Sequence, residues 1–309
     1  MTKNNAIQEF LSVKFRRFLS GAPDGIPPWL PVVAAGDGPG YFTPSDAPWV
    51  VHGDFSTLVG GIRALILQAL HPATLAGVAQ HSRYEQDPLG RLSGTIRWLT
   101  ITTFGSIEAI AQEASRVNRL HDRVSGQLID NAGRAVAYQA RDERLLAWVH
   151  LAFSEAFLSA QLDVSRVTIP GGADAYVDLW RKSAQPLGLD IDTLPTTRVG
   201  LTEALAAYAK AGELRFDEQT AAVMSFIERP PLPAAAKGIY RLLFKAAIAN
   251  LPDWARELTG YSVKNPKMVL AATASMLRLM RWAIGPESPI EDAARERLKR
   301  AGVIESQAS

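Results

Sequence analysis

The stretch Ile107-Glu-Ala-Ile110-Ala-Gln-Glu-Ala114-Ser-Arg-Val117-Asn-Arg-Leu-His121-Asp-Arg-Val124 decides the fold class. Ile110, Ala114, Val117, His121 and Val124 recur three and four residues apart, the period of one helix face. The spacing therefore predicts a helix over 107–124 with His121 on its apolar stripe. The next run repeats the pattern. Asp142 is placed to cap a helix whose Leu146, Val149, His150, Phe153 and Phe157 share a face, so His150 also points inward. Working outward, Asp54 opens a helix with the stripe Leu58, Ile62, Leu65, Ile66 and Ala69, ending near His71-Pro72. Asp87 and Pro88 start another that runs toward Thr103. Further helices are expected over 174–185, 197–211, 217–228, 234–250 and 266–284. A last one is opened by Ser288-Pro289, carries Glu291 and Asp292 in its first turn, and closes on Lys299, Arg300 and Gly302. No run alternates convincingly as a strand, so the expected fold is all-α, a single helical domain. The Pro- and Gly-rich stretch 21–48 is expected to run extended over the surface.

Composition narrows the function. A chain of 309 residues with 47% hydrophobic residues hides enough surface for a large core and does not have the make-up of a disordered chain. The 33 Lys and Arg against 31 Asp and Glu leave a net charge of +2, too little for a long-range field, and nucleic acid is not expected as a partner. With no cysteine there is no disulfide, thiolate-bound metal, iron–sulfur cluster or thiol nucleophile, and any metal must use His, carboxylate, Met or Tyr. No apolar stretch near the front is long and unbroken enough for a transmembrane anchor, and the amino terminus lacks a secretory pattern, so a cytoplasmic protein is expected. A homo-oligomer is compatible with the amphipathic last helix, which could dock on its own chain or on a neighbour.

All five histidines, His52, His71, His81, His121 and His150, lie in the first half. Spacing rejects several metal sites: there is no Glu-x-x-His pair, no His-Glu-x-x-His helix and no Cys-x-x-Cys-His attachment. A Ser–His–acid triad stays open, although no Gly-x-Ser-x-Gly elbow occurs. Gly36-Asp37-Gly38-Pro39-Gly40 is a turn rather than a dinucleotide fingerprint, since it neither follows a strand nor opens a helix. Arg91 and Thr95 share a helix face with Trp98 and Thr102. A permanent cation beside a hydroxyl suits a carboxylate such as a propionate, or a bound oxygen species; the plainer alternative is a surface Arg and a back-bonded Thr. Arg116, Arg119 and Arg123 flank His121, either as a carboxylate clamp or as an ordinary solvated face.

Several ordered motifs resemble one family. The run from Gly60 to Pro72, ending Gln68-Ala69-Leu70-His71-Pro72, and then Gly77-Val78-Ala79-Gln80-His81-Ser82, is similar to the opening block of the MpaB-like oxygenases, which include the latex-clearing rubber oxygenases. Asp87-Pro88-Leu89-Gly90-Arg91-Leu92-Ser93-Gly94-Thr95 resembles their Asp-Pro-x-x-Arg-Leu-x-x-Thr element. His121-Asp122-Arg123-Val124-Ser125-Gly126 resembles their His-x-x-Val-x-Gly element, and Tyr138-Gln139-Ala140, Trp148-Val149-His150, Tyr176 and Trp180 also fit. The likeness divides the chain into an N-terminal segment and arm over 1–53, an oxygenase domain over 54–285, and a capping helix with tail over 286–309.

The resemblance implies a b-type haem in a buried pocket between helices, with His121 as iron ligand; His150, which shares the inward geometry, is the substitute ligand. By the same matching, Arg91 and Thr95 would line the haem environment in catalytic roles, and Arg119, by its place beside His121, is a candidate cofactor-binding residue. It implies dioxygen activation and oxidative attack on a small hydrophobic substrate, an alkene or isoprenoid. Gly94 stands where rubber oxygenases carry Lys, which argues against polyisoprene, and Gln80 stands where relatives often have Glu. The fungal member that names the family is membrane-anchored, whereas no anchor is expected here. Three readings remain open beside the oxygenase: a peroxidase-like relative, a non-enzymatic carrier of haem or an apolar ligand, and a helical scaffold whose histidines are simply packed.

Overall fold

The computed structural model describes residues 27–81, 88–285 and 288–305, which form fourteen α-helices, three short 3-10 turns and one two-stranded hairpin. The first part contains α1 (Leu30–Ala34), α2 (Ala47–Gly53), α3 (Thr57–Ala69), α4 (Pro72–His81), α5 (Pro88–Phe104) and α6 (Ile107–His121). The hairpin β1 (Ser125–Ile129) and β2 (Ala135–Gln139) follows, then α7 (Glu143–Val164), α8 (Gly172–Trp180), α9 (Arg198–Lys210) and α10 (Glu218–Glu228). The chain closes with α11 (Ala234–Ala249), α12 (Asp253–Thr259), α13 (Pro266–Ile284) and α14 (Pro289–Arg300). The fold is thus mainly α-helical, as the periodicity predicts.

The helix starts are set by local chemistry. Asp142 accepts hydrogen bonds from the backbone N–H groups of Arg144 (2.9 Å) and Leu145 (3.2 Å), Thr197 from Gly200, Asp217 from Thr220 and Ser288 from Glu291. Each satisfies an orphan donor of the first turn. Asp54 does not cap as expected: its carboxylate accepts from Ser56 N (2.7 Å), pairs with Arg281, and leaves the helix to begin at Thr57. Pro72 opens α4 instead of merely ending α3, because its missing N–H costs nothing at a first helical position.

The centre of the fold is α3 packed on α7, the most extensive helix contact among the described residues. Gly60 makes that approach possible. A Cβ on it would stand 2.6 Å from the Phe157 ring and 3.1 Å from the Phe157 Cα. The same seam holds the Arg63 guanidinium, 1% exposed, which pairs with both Glu155 oxygens and donates to Asn250 Oδ1 (2.8 Å) at the end of α11. Around them Ile66, Leu67, Leu70, Leu151, Leu158, Met224 and Ile248 form one large core. α7 is also the one described helix long and apolar enough to cross a membrane, and most of its apolar stretch is covered by the other helices; α2 and α3, bent by 94°, pass the same test as a pair.

Two further expectations are corrected. From residue 27 on, the Pro- and Gly-rich arm is not a surface strap. Trp29, Val33 and Trp49 are buried with Ile101 and Phe104 of α5 and Ile290, Ala294 and Leu298 of α14, forming a second core. The last helix therefore docks on its own chain, where buried Arg297 donates to the carbonyls of Val33 (2.9 Å) and Phe104 (2.8 Å). Residues 21–26 of that arm lie outside the described residues, as does Asp87. The hairpin is the second correction. Its strands pair antiparallel from Ser125↔Gln139 to Ile129↔Ala135 around a turn in which Asp130 Oδ1 accepts from Ala132 N (2.9 Å) and Arg134 N (2.8 Å) and Gly133 takes φ +79°. Forming it ends α6 at His121 instead of Val124.

Candidate functional site

α6 is started by Ser106, whose hydroxyl accepts from Ala109 N (3.2 Å), and is held in the core by Ala109, Ile110 and Ala114. Its buried Glu113 is gripped by Arg97 Nε (2.9 Å) and Arg116 Nε (3.0 Å). Burial opposes the charge of that carboxylate, but the hydrogen bonds from Arg116 and Arg97 outweigh it and hold the pKa below its ordinary value. Arg116 is thereby occupied, while Arg119 and Arg123 are exposed. His121 closes the helix. Its Nδ1 is buried and has no hydrogen-bond partner among the described residues, and burial, with Arg141 nearby against Asp122, pushes the ring's pKa down. The imidazole is neutral at neutral pH and keeps a lone pair, the form that binds a metal.

The turn after His121 is fastened to the end of α4. Tyr138 Oη donates to Gln80 Oε1 (2.8 Å), Gln80 Nε2 donates to Gln127 O (3.3 Å), and His81 Nε2 donates to Ser125 O (2.9 Å). Gly126 leaves room for this clasp, since a Cβ there would lie 2.5 Å from Gln80 Oε1 and 3.0 Å from the Tyr138 ring. The Val-x-Gly spacing after His121 thus has a packing cause, and Gln80 has a structural role. On α5, Thr95 and Trp98 are partly buried, and Thr102, further along the same face, is fully buried with its hydroxyl unpartnered. The Arg91 side chain lies outside the described residues.

His150 is partly buried on α7, and burial pushes its pKa down to about 4. Ser154 gives its hydroxyl proton to the His150 carbonyl (2.7 Å), so only a long 3.5 Å contact reaches the ring's Nε2. His71 acts as a cap: its Nδ1 accepts from Ala73 N (3.2 Å) at the start of α4, its ring lies by Trp148 and Tyr208, and burial brings its pKa to about 4 against the opposing pull of Glu213. It also borders a cleft of about 520 Å³ between the hairpin and the α9–α10 connection, a cleft to which neither His121 nor His150 contributes.

His52 carries an arrangement that sequence reasoning missed. Thr103 Oγ1 donates to Leu99 O (2.7 Å) and must therefore accept from His52 Nδ1–H (2.8 Å). His52 Nε2 is then the acceptor for Tyr176 Oη (3.0 Å). The ring sits edge-on to Phe157 and Trp180, and burial pushes its pKa down to about 3. This chain of three hydrogen bonds ties α2, α5 and α8 together behind the Thr95–Thr102 helix. Its only trace in the sequence is a histidine next to a future core.

Residues 49–284 match the family described as ER-bound oxygenase mpaB/B'/Rubber oxygenase, catalytic domain. The chain belongs to this family. The matched residues run from α2 through α13 and make the fold an oxygenase catalytic domain, so the MpaB-like resemblance holds. No curated protein and no solved structure matches the chain.

Within the oxygenase domain, the residues expected at the site are spread over three helices: Thr95 on α5, His121 and Arg119 on α6, His150 on α7. Among the described residues, no hydrogen bond or ion pair links them directly. Among the described residues, no three His, Asp or Glu side chains gather as a metal cage. What the domain offers instead is single neutral imidazoles, His121 with an orphaned buried nitrogen and His150 with one long contact. A metal that brings most of its own ligands, as a porphyrin iron does, fits that donor set.

Proposed function

We propose that this oxygenase domain works with haem b, held through His121, on a small hydrophobic substrate of alkene or isoprenoid type. The observation that carries the reading is the His121 Nδ1, buried and without a hydrogen-bond partner among the described residues, in the motif that opens the hairpin. A buried polar atom left unpaired costs roughly 1–3 kcal/mol, which a bound group would relieve. Bound haem supplies an iron at which dioxygen is activated.

The protein's own contributions follow from its residues. Burial keeps His121 unprotonated across the neutral range, so it need not lose a proton before acting as a ligand. The clasp between α4 and the hairpin fixes the backbone on which it stands, and such outer contacts orient a ligand. Arg91, a cation that keeps its proton, would hold a carboxylate or a polarised oxygen, with the Thr95 hydroxyl as a second donor on the same helix face. Exposed Arg119 would meet a carboxylate at the rim. His150 is the second choice of ligand, because its ring is neutral and weakly bonded.

The test is the absorption spectrum of the purified protein, followed by oxygen uptake with candidate alkenes. A Soret band that His121→Ala abolishes and His150→Ala leaves in place is the expected result. The opposite pattern moves the ligand to His150. A colourless protein that takes up no added haem refutes the proposal.

A further inference from the structure

Helices α11 and α13 pack against each other, and neither contains a single acidic residue. On α11, Lys237, Arg241 and Lys245 stand four residues apart on one exposed face, and on α13 Lys267 and Arg278 are exposed. None of these five forms an ion pair among the described residues, whereas Arg281 on α13 is held by the buried Asp54. The chain as a whole is almost neutral at +2, so this pair of helices is a local departure from its charge balance.

The exposed side of α13 is also apolar. Met268 (64%), Leu279 (62%) and Trp282 (62%) are three of the four most exposed large apolar side chains among the described residues, and all three belong to α13. On α13 they fall in one stripe with Ala272 and Ser275, at steps of three and four residues. The stripe runs most of a helix that is about 28 Å long at 1.5 Å per residue.

We infer that the α11–α13 face docks on an anionic lipid bilayer. Trp, Leu and Met are the side chains that enter the boundary of a membrane, and Lys and Arg beside them reach the headgroup phosphates. Charge decides between this occupant and a second copy of the chain. Two copies meeting on this face would bring two acid-free, basic surfaces together, and the three exposed side chains supply only a few hundred Å², short of the ~800 Å² per partner of a specific dimer. An anionic membrane complements the basic residues and needs no exact fit.

The experiment is co-sedimentation of the full chain with vesicles of phosphatidylcholine alone and with phosphatidylserine added. Binding is expected only with the anionic lipid, and is expected to weaken as salt is raised. Each basic residue near such a surface contributes a factor of roughly five, so Lys237→Gln with Arg241→Gln and Lys245→Gln should lower partitioning about a hundredfold. Met268→Ser with Leu279→Ser should abolish it with unchanged helical content and melting temperature, because both side chains are already largely exposed (64% and 62%). Binding that neither variant alters places any lipid contact elsewhere and overturns the inference. So does equal binding to neutral vesicles, a dimer that Leu279→Ser dissociates, or retention by nucleic acid without retention by vesicles. All these measurements are independent of haem, so the inference and the haem reading can fail separately.

Discussion

Lowering the pH from 7 to 5 tests the buried imidazoles, and His52 most sharply. Its folded pKa is about 3, against 6.5 for an unburied histidine. A histidine whose pKa is depressed by folding takes up its proton in the unfolded chain first. Its stabilising contribution is therefore complete above pH 6.5 and is lost as the pH falls from 6.5 toward 3. Each unit in that window costs roughly 1.4 kcal/mol, so His52 alone removes about 2 kcal/mol of stability by pH 5. His71 and His150, with folded values near 4, add losses of the same sign. The assay is urea unfolding followed by circular dichroism at pH 7, 6 and 5, for the native chain and for His52→Gln. Glutamine keeps a donor and an acceptor but cannot take a proton in this range. The variant should start less stable at pH 7 and lose about 2 kcal/mol less than the native chain on going to pH 5. Parallel profiles would refute the account, because they would mean that the ring is protonated in the fold or not held between Thr103 and Tyr176.

Three further outcomes follow from packing and charge. Gly60→Ala should lower the melting temperature by several degrees: the new Cβ meets the Phe157 backbone as well as its ring, and forced overpacking of about 1–3 kcal/mol exceeds the ~1 kcal/mol that alanine gains as a helix former. An unchanged or raised melting temperature would show that α3 and α7 separate freely. Arg63→Leu should destabilise by about 3 kcal/mol, because the largely covered Glu155 carboxylate loses its cation and keeps only the Ser159 hydroxyl, and adding Glu155→Leu should restore most of that loss; failure of the second change to help would contradict the ion pair. Arg91→Ala should weaken haem retention or turnover by about 1.5–3 kcal/mol, the scale of a charge-assisted hydrogen bond, while an unchanged spectrum and rate would return Arg91 to an ordinary surface role.

Elements with strong local signals were legible. Helices α7, α9, α10 and α14 open where Asp142, Thr197, Asp217 and Ser288 stand, since a capping side chain acts within four residues of itself. The hairpin was not legible. Gly126, Ala135 and Ala137 are weak strand formers, and β1 and β2 become strands because they pair with each other and because Gln80 and His81 reach across from α4. The arm misled for a related reason. Its prolines and glycines describe the local chain, whereas Trp29, Val33 and Trp49 are buried by α5 and α14, the latter more than 200 residues away.

The family, the helical class and the candidate ligand His121 stand in the sequence itself, since motif, helix period and side-chain chemistry are properties of neighbouring residues. That His52 is locked between Thr103 and Tyr176, that Arg63 is buried against Glu155, and that α11 and α13 turn a basic, apolar face outward was decided only by the fold. Burial and pairing depend on which distant segments come together, and the free energy of a charge or a ring in a protein is set by what surrounds it in space.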